Sequence, residues 1–222
     1  AAGGSRLIIA AHDGERLAAL SDELRAPAMS LDATRFDHVE AALEHTRRSM
    51  GRLDGVVSCV GTRPVRKDVA DITPDEWLEI LAKDLTSAVA TVRAAATVMR
   101  HHGGSVVLCS GAATRVGFGG LELWSAAKSG VEGLVRSAAS AYARFDLRFN
   151  CVAPGPLADP AMEGWDPEMT EVFPSALPLP ALGREGGAEE TAAAATWLLA
   201  PEQGWITGQV FRVDGGLSCC RD

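Results

Sequence analysis

The sequence predicts one doubly wound α/β domain built on a mostly parallel sheet with helices over both faces. Three observations point there. Apolar runs alternate with helical periods along the whole length, the runs lack the polar alternation of a strand with one wet face, and the stretches between them are long enough for crossover helices. With 222 residues, 47% of them hydrophobic and 23% charged, the chain can bury a sizeable core, which excludes disordered and collagen-like classes.

The elements follow in order. Arg6 to Ala11 reads as a strand, and Asp13 can cap a helix with Leu17, Leu20 and Leu24 on one face, ended by Pro27. A short strand at 28–31 leads to Asp37-x-x-Glu40, which resembles a capping box. The helix it opens carries Val39, Leu43, Thr46 and Met50 on one side and stops at Gly51. A strand at 55–60 comes next. Thr73-Pro74-Asp75-Glu76 is the clearest helix start, with a hydroxyl cap, Pro at the first helical position and Glu three residues after the cap. That helical pattern runs to about Arg100. A strand at 105–109, a Gly-rich loop to Gly120, a helix from Trp124 to Arg144 and a strand at 147–152 follow. The Pro-rich segment from Pro154 to Pro180 reads as loops with short helices. Ala188 to Leu199 is a helix with acids in its first turn, and Gln209 to Val213 is the last strand.

Composition removes several function classes. A net charge of −8 without a long Lys/Arg run argues against nucleic acid or an anionic membrane as partner. No apolar stretch approaches the roughly 20 residues of a membrane span, and no signal-peptide pattern opens the chain. Of five cysteines, Cys59, Cys109 and Cys151 lie in apolar runs and read as buried thiols of a reducing, cytoplasmic compartment; no Cys or His spacing fits a metal site. Trp124, Trp165, Trp197 and Trp205 read as packing residues. His38, His45, His101 and His102 read as helix-surface and helix-end residues.

Several short motifs coincide in order and spacing with one family. They are Ala10-Ala11-His12-Asp13, Leu31-Asp32-Ala33-Thr34, Gly51-Arg52-Leu53-Asp54, Gly61, Gly104-Ser105-Val106-Val107, Ser125-Ala126-Ala127-Lys128, Asn150-Cys151-Val152-Ala153-Pro154-Gly155, Ile206-Thr207-Gly208-Gln209 and Val213-Asp214-Gly215-Gly216. On these the chain resembles the short-chain dehydrogenases/reductases, and among them the 3-oxoacyl-carrier-protein reductases, over nearly its whole length. The resemblance implies a Rossmann fold in which a nicotinamide dinucleotide crosses the C-terminal ends of the strands, its pyrophosphate held by a glycine-rich turn at the first helix. No G-x-x-x-G-x-G stands where that turn belongs, so the resemblance also implies a domain lacking the family's first strand and first helix. That strand is central, between the counterparts of 6–11 and 55–60. Three outcomes are therefore open: the natural chain begins further upstream, as the missing initiator Met suggests, the two flanking strands pair directly, or a partner fills the gap.

The family's catalytic positions, carried over by motif, are substituted here. Lys128 matches the lysine that lowers the pKa of a proton-donating Tyr and holds the nicotinamide ribose. Trp124 occupies the Tyr position, Gly111 that of the carbonyl-binding Ser, and Asp84 that of the Asn that orders a relay water. An indole N–H donates a hydrogen bond but is no usable acid. Ser110 adjoins Gly111, yet neighbouring strand residues point to opposite faces. Glu122, just before Trp124 in the expected active-site loop, is the best spare acid. Ser58-Cys59-Val60-Gly61 replaces the family's N-N-A-G, and Asp159 replaces a carboxamide-binding Thr.

For the cofactor, Ala11 and His12 at the ribose-reading positions lean towards NADP(H), to be bound if the missing N-terminus is supplied. Asp32 and Ala33 match the adenine contact, and Gly61, Lys128, Pro154 and Gly155 complete the expected cofactor-binding set. Two functions stay open: a pseudoenzyme or hetero-oligomer partner without hydride-transfer chemistry, and an NADP(H)-dependent oxidoreductase of altered mechanism. Oligomerisation, homo- or hetero-, is expected through helices near 73–100 and 124–144. Met162, Trp165, Met169, Val172 and Phe173 suggest a hydrophobic small-molecule ligand.

Overall fold

A computed structural model of the chain describes residues 4–62, 64, 66–158 and 180–220. Its elements run β1 (Ile9–Ala11), α1 (Gly14–Leu24), β2 (Ala28–Ser30), α2 (Phe36–Met50), β3 (Gly55–Ser58), α3 (Pro74–Ile80), a π-helical stretch (Leu81–Thr86), α4 (Ser87–Met99), β4 (Gly104–Cys109), α5 (Ala113–Val116), α6 (Glu122–Tyr142), β5 (Leu147–Pro154), α7 (Ala188–Leu199) and β6 (Val210–Val213). Every strand pairing is parallel and strands alternate with helices, as expected for the Rossmann-like α/β class.

The strands form two sheets. β3-β4-β5-β6 is continuous, while β1 and β2 pair only with each other. Direct pairing of β1 with β3, one of the three outcomes open from sequence, is thus not what the chain adopts. The flanks of the interruption keep apolar side chains in water, with Leu7, Val57 and Val60 all exposed.

The core lies on both faces of the larger sheet. Val106, Leu108, Leu147 and Phe149 pack under α4 and α6 against Met99, Val131 and Val135. Val107 and Val152 meet Ala195 and Leu198 of α7 on the other face. Arg148 is buried among them because its guanidinium has work at a helix end: it donates to the carbonyls of Leu198 (3.1 Å) and Ala200 (3.2 Å), which α7 leaves without intrahelical partners, and to that of Ile206 (3.1 Å) on the approach to β6. Asn150 stitches β5 to the approach of β6, donating to the Ile206 carbonyl and accepting the Gln209 N–H.

Local signals hold at most ends. Asp13 caps α1 through the Arg16 N–H, and the Thr73/Glu76 capping box forms in full. Gly51 ends α2 at φ 79°, a left-handed conformation costly for a residue with a Cβ. Five expectations need correction. Asp37-x-x-Glu40 makes no capping box: α2 starts after Arg35, Asp37 pairs with Arg35, and Glu40 pairs with Arg93 of α4. The helix expected over 73–100 is interrupted by the π-helical stretch. The loop before Gly120 contains α5. Trp205 is fully exposed and packs on nothing, and Cys59 is exposed where a buried strand thiol was expected. Asp159, Met162, Trp165, Met169, Val172 and Phe173 lie outside the described residues. No helix among the described residues is long and apolar enough to cross a membrane.

Candidate functional site

The polar cluster that sequence singles out forms where β3 and β4 end, beneath the start of α6. Lys128, in the second turn of α6, is only 5% exposed in its side chain, and its partner Asp84 not at all. The ammonium lies 2.9 Å from Asp84 Oδ1, 3.3 Å from the Val60 carbonyl and 3.4 Å from the Cys109 carbonyl. An ammonium has three N–H donors, and here each has an acceptor inside the protein. Asp84 is equally committed. Its two oxygens each accept the Thr62 N–H at 3.1 Å, and Oδ2 also accepts the Thr62 hydroxyl at 2.5 Å.

Local structure explains how the two charges meet. Asp84 sits within the π-helical stretch, where one extra residue per turn turns its side chain inward; such bulges recur where a helix must aim a particular group. Gly61 leaves the space between. A Cβ there would stand 2.5 Å from both Asp84 Oδ1 and Lys128 Nζ, so a side chain at 61 is incompatible with the pair. Water is excluded around the pair, so desolvation weighs heavily on each ion and neither stays charged cheaply without the other.

Trp124 covers this cluster from one turn earlier on α6. Its indole N–H donates to the Thr62 carbonyl at 3.3 Å, and its ring lies 5.9 Å from Lys128 Nζ in cation–π range. The far edge of the ring occupies the space that a side chain at 111 would need, since a Cβ built on Gly111 overlaps the indole carbons. Trp124 and Gly111 are therefore complementary: the large residue fits because the small one is there.

Ser110 follows the last residue of β4 and is committed to a different stretch of α6. Its hydroxyl donates to Glu132 Oε1 at 3.2 Å, joined by Thr114 at 2.7 Å, with Arg136 and Arg212 about the same carboxylate at 3.9 and 4.0 Å. Glu122 belongs to the first turn of α6 rather than to a loop; it is exposed and accepts the Gly120 N–H at 3.0 Å.

The remaining expected residues lie apart from this cluster. His12 is exposed just beyond β1. Asp32 closes an Asx turn by accepting the Thr34 N–H and hydroxyl, and those two bonds, hydroxyl first, hold its carboxyl below the usual range. Ala33 packs on the Val39, Ala90 and Ala94 cluster. The Pro154 carbonyl accepts the Ala112 N–H, and Gly155 allows close approach of Asp214, whose Cα would be 2.8 Å from a Cβ at 155. Thr62 is the participant that sequence missed. Its partner is 22 residues away, and nothing local marks it. Among the described residues no group of three or more His, Cys, Asp or Glu side chains could hold a metal ion.

Comparison with known proteins places this geometry. A family model described as enoyl-(acyl carrier protein) reductase matches residues 1–218. The short-chain dehydrogenase/reductase aba4 of Botryotinia fuckeliana (strain B05.10) is 29% identical, over 97% of this chain and 88% of that protein. Carbonyl reductase family member 4 of Danio rerio is 31% identical, over 85% of this chain and 76% of its own. The chain belongs to the short-chain dehydrogenases/reductases. A solved short-chain type dehydrogenase/reductase from Mycobacterium ulcerans superposes with a TM-score of 0.87 at 25% identity, covering 98% of this chain and 82% of that one.

Short-chain dehydrogenases/reductases generally bind NAD(P)(H), and this chain's residues fit such a group poorly. The Lys128 donors that would meet a ribose are all taken, by Asp84 and by the Val60 and Cys109 carbonyls.

Proposed function

We propose that this chain is a degenerate short-chain dehydrogenase/reductase, without ketone or alcohol hydride-transfer chemistry, that serves as a non-redox partner in an oligomer. The observation that carries this is the closed Lys128 cage. A lysine whose three donors are held by Asp84, Val60 and Cys109 has none left for a ribose hydroxyl. The indole beside it offers no transferable proton, and loss of a general acid alone costs about 10² to 10⁴ in rate. Contact through the helices near 73–100 and 124–144 completes the reading, and the five free thiols support a reducing, cytoplasmic setting.

The test is NADPH oxidation by the complete polypeptide with a panel of ketones. No turnover above buffer is expected. Turnover at an ordinary reductase rate that Lys128→Ala abolishes would overturn the proposal. The interlock of Trp124 with Gly111 sets how activity could be restored. Gly111→Ser alone overpacks the site and should destabilise by about 1–3 kcal/mol, seen as a lower urea midpoint, and Trp124→Ala in the same chain should recover most of that.

A second reading keeps an enzyme of altered mechanism. It is favoured by His12, exposed beyond β1 where it can meet a 2′-phosphate of NADP(H), and by the exposed carboxylate of Glu122 as proton source. NADPH-dependent turnover lost in Glu122→Gln would select it.

A further inference from the structure

We propose that Cys59 and Cys109 form a dithiol that a hydroperoxide oxidises to an intramolecular disulfide. The register of β3 on β4 brings them together. Ser58 lies opposite Leu108 on the last paired rung, so Cys59, one residue past the end of β3, follows in register with Cys109, the last residue of β4. Neighbouring strands are about 4.7–4.9 Å apart, inside the Cα separation of about 4.4–6.8 Å that disulfides span. β3 ends at Ser58, so Cys59 is free of the ladder and can adjust its side chain to the geometry of an S–S bond. Access is asymmetric in a useful way: Cys59 is exposed and Cys109 half-buried behind it.

The surroundings favour a reactive thiolate at the outer cysteine. The neighbouring Cys109 thiol and the Lys128 ammonium lower the Cys59 thiol to about 7 against the opposing effect of burial, while Cys109, whose own thiol donates to the Ser110 carbonyl at 3.7 Å, is pushed up. At neutral pH this leaves about ten times more thiolate than an ordinary cysteine carries. Cys151 is the internal contrast, wholly buried and raised to about 11, chiefly by desolvation.

The step balances as follows. The Cys59 thiolate attacks one oxygen of the hydroperoxide, the O–O bond breaks, and the departing alkoxide or hydroxide leaves as alcohol or water after taking a proton. Cys59 is then a sulfenic acid. The Cys109 sulfur attacks it, the S–S bond forms, and the sulfenyl oxygen leaves as water with the Cys109 proton. Two thiols are oxidised by two electrons and one hydroperoxide is reduced by two. The bond would join the ends of β3 and β4, whose Val60 and Cys109 carbonyls hold Lys128, so oxidation would brace the lysine cage from outside.

The experiment treats the complete protein with one equivalent of hydrogen peroxide, blocks remaining thiols with iodoacetamide and maps tryptic peptides without reduction. Peptides 53–66 and 101–115 should appear joined, two hydrogens lighter than their sum, and separate again after dithiothreitol. Alkylated Cys59 and Cys109 after treatment, or Cys59 recovered as sulfinic acid beside an alkylated Cys109, would overturn the proposal. Cys219 and Cys220, adjacent and exposed with sulfurs 3.7 Å apart, are the competing pair. A Cys219→Ser/Cys220→Ser chain should still lose two thiols to peroxide, and retention of all its remaining thiols would also overturn the proposal.

Discussion

β5 and β1 are both parallel strands of the same α/β architecture, yet they live in different surroundings. β5 has a strand on each side, α6 over one face and α7 over the other, and its first seven residues are buried. β1 has one neighbouring strand and one packed helix, and two of its three residues are exposed. Apolar content does not explain this, since all three residues of β1 are apolar while β5 includes Arg148 and Asn150. What separates them is the number of neighbours: hydrophobic stabilisation follows area removed from water, and a strand can bury only what other elements cover.

The sharpest way to break this contrast is paired truncation. Phe149→Ala in β5 should cost about 3–5 kcal/mol, because a wholly buried ring leaves a cavity that close-packed neighbours cannot fill. Ile9→Ala in β1 should cost about 1 kcal/mol or less. Urea midpoints of the two variants measure both. Equal losses would mean that the smaller sheet is as well covered as the larger. Amide exchange gives the same contrast without mutation, with β1 and β2 opening at far lower free energy than β4 and β5.

Next in size is the ion pair at the end of the larger sheet. Lys128→Met should destabilise by about 3–5 kcal/mol, because it strands the Asp84 carboxylate without its cation in a buried site. Adding Asp84→Leu should recover much of that loss, since a buried pair contributes little beyond its own desolvation. A double variant as unstable as the single one would show that the Thr62 bonds to Asp84, rather than the lysine charge, hold the cluster.

The smallest effect lies at the surface. Glu76 is held at about 2, first by the hydrogen bond from Lys67 and then by the Thr73 N–H and hydroxyl. A carboxyl lowered on folding adds stability above its unfolded value near 4.5 and loses it as pH falls towards 2. The urea midpoint of wild type should therefore exceed that of Glu76→Gln at neutral pH, and the gap should close between about pH 4.5 and 2.

How much was legible in the sequence follows from the range of the forces involved. The cap at Asp13, the Thr73 box, the Gly51 stop and the bounds of α7 depend on residues within one turn, and they were readable. Ser110 and Gly111 both follow the end of β4 and both face α6, Ser110 at Glu132 and Gly111 at Trp124, so strand alternation does not decide their directions. Asp37 and Glu40 misled because Glu40 takes a partner 53 residues away on α4. The π-helical stretch and the exposure of Cys59 escaped for the same kind of reason. One depends on Thr62 and Lys128 reaching Asp84 from elsewhere in the chain, and the other on β3 being the outer strand of its sheet.

The interlock of Trp124 with Gly111 also gives the chain's sequence history a direction. Any side chain arriving at 111 while the indole is in place meets it at once, whereas a smaller residue arriving at 124 meets only empty space. Neighbouring sequences that descend from this arrangement should therefore vary first at 124 and only afterwards at 111. A lineage with Ser or Ala at 111 beside a retained Trp124 would need the helix itself to have shifted.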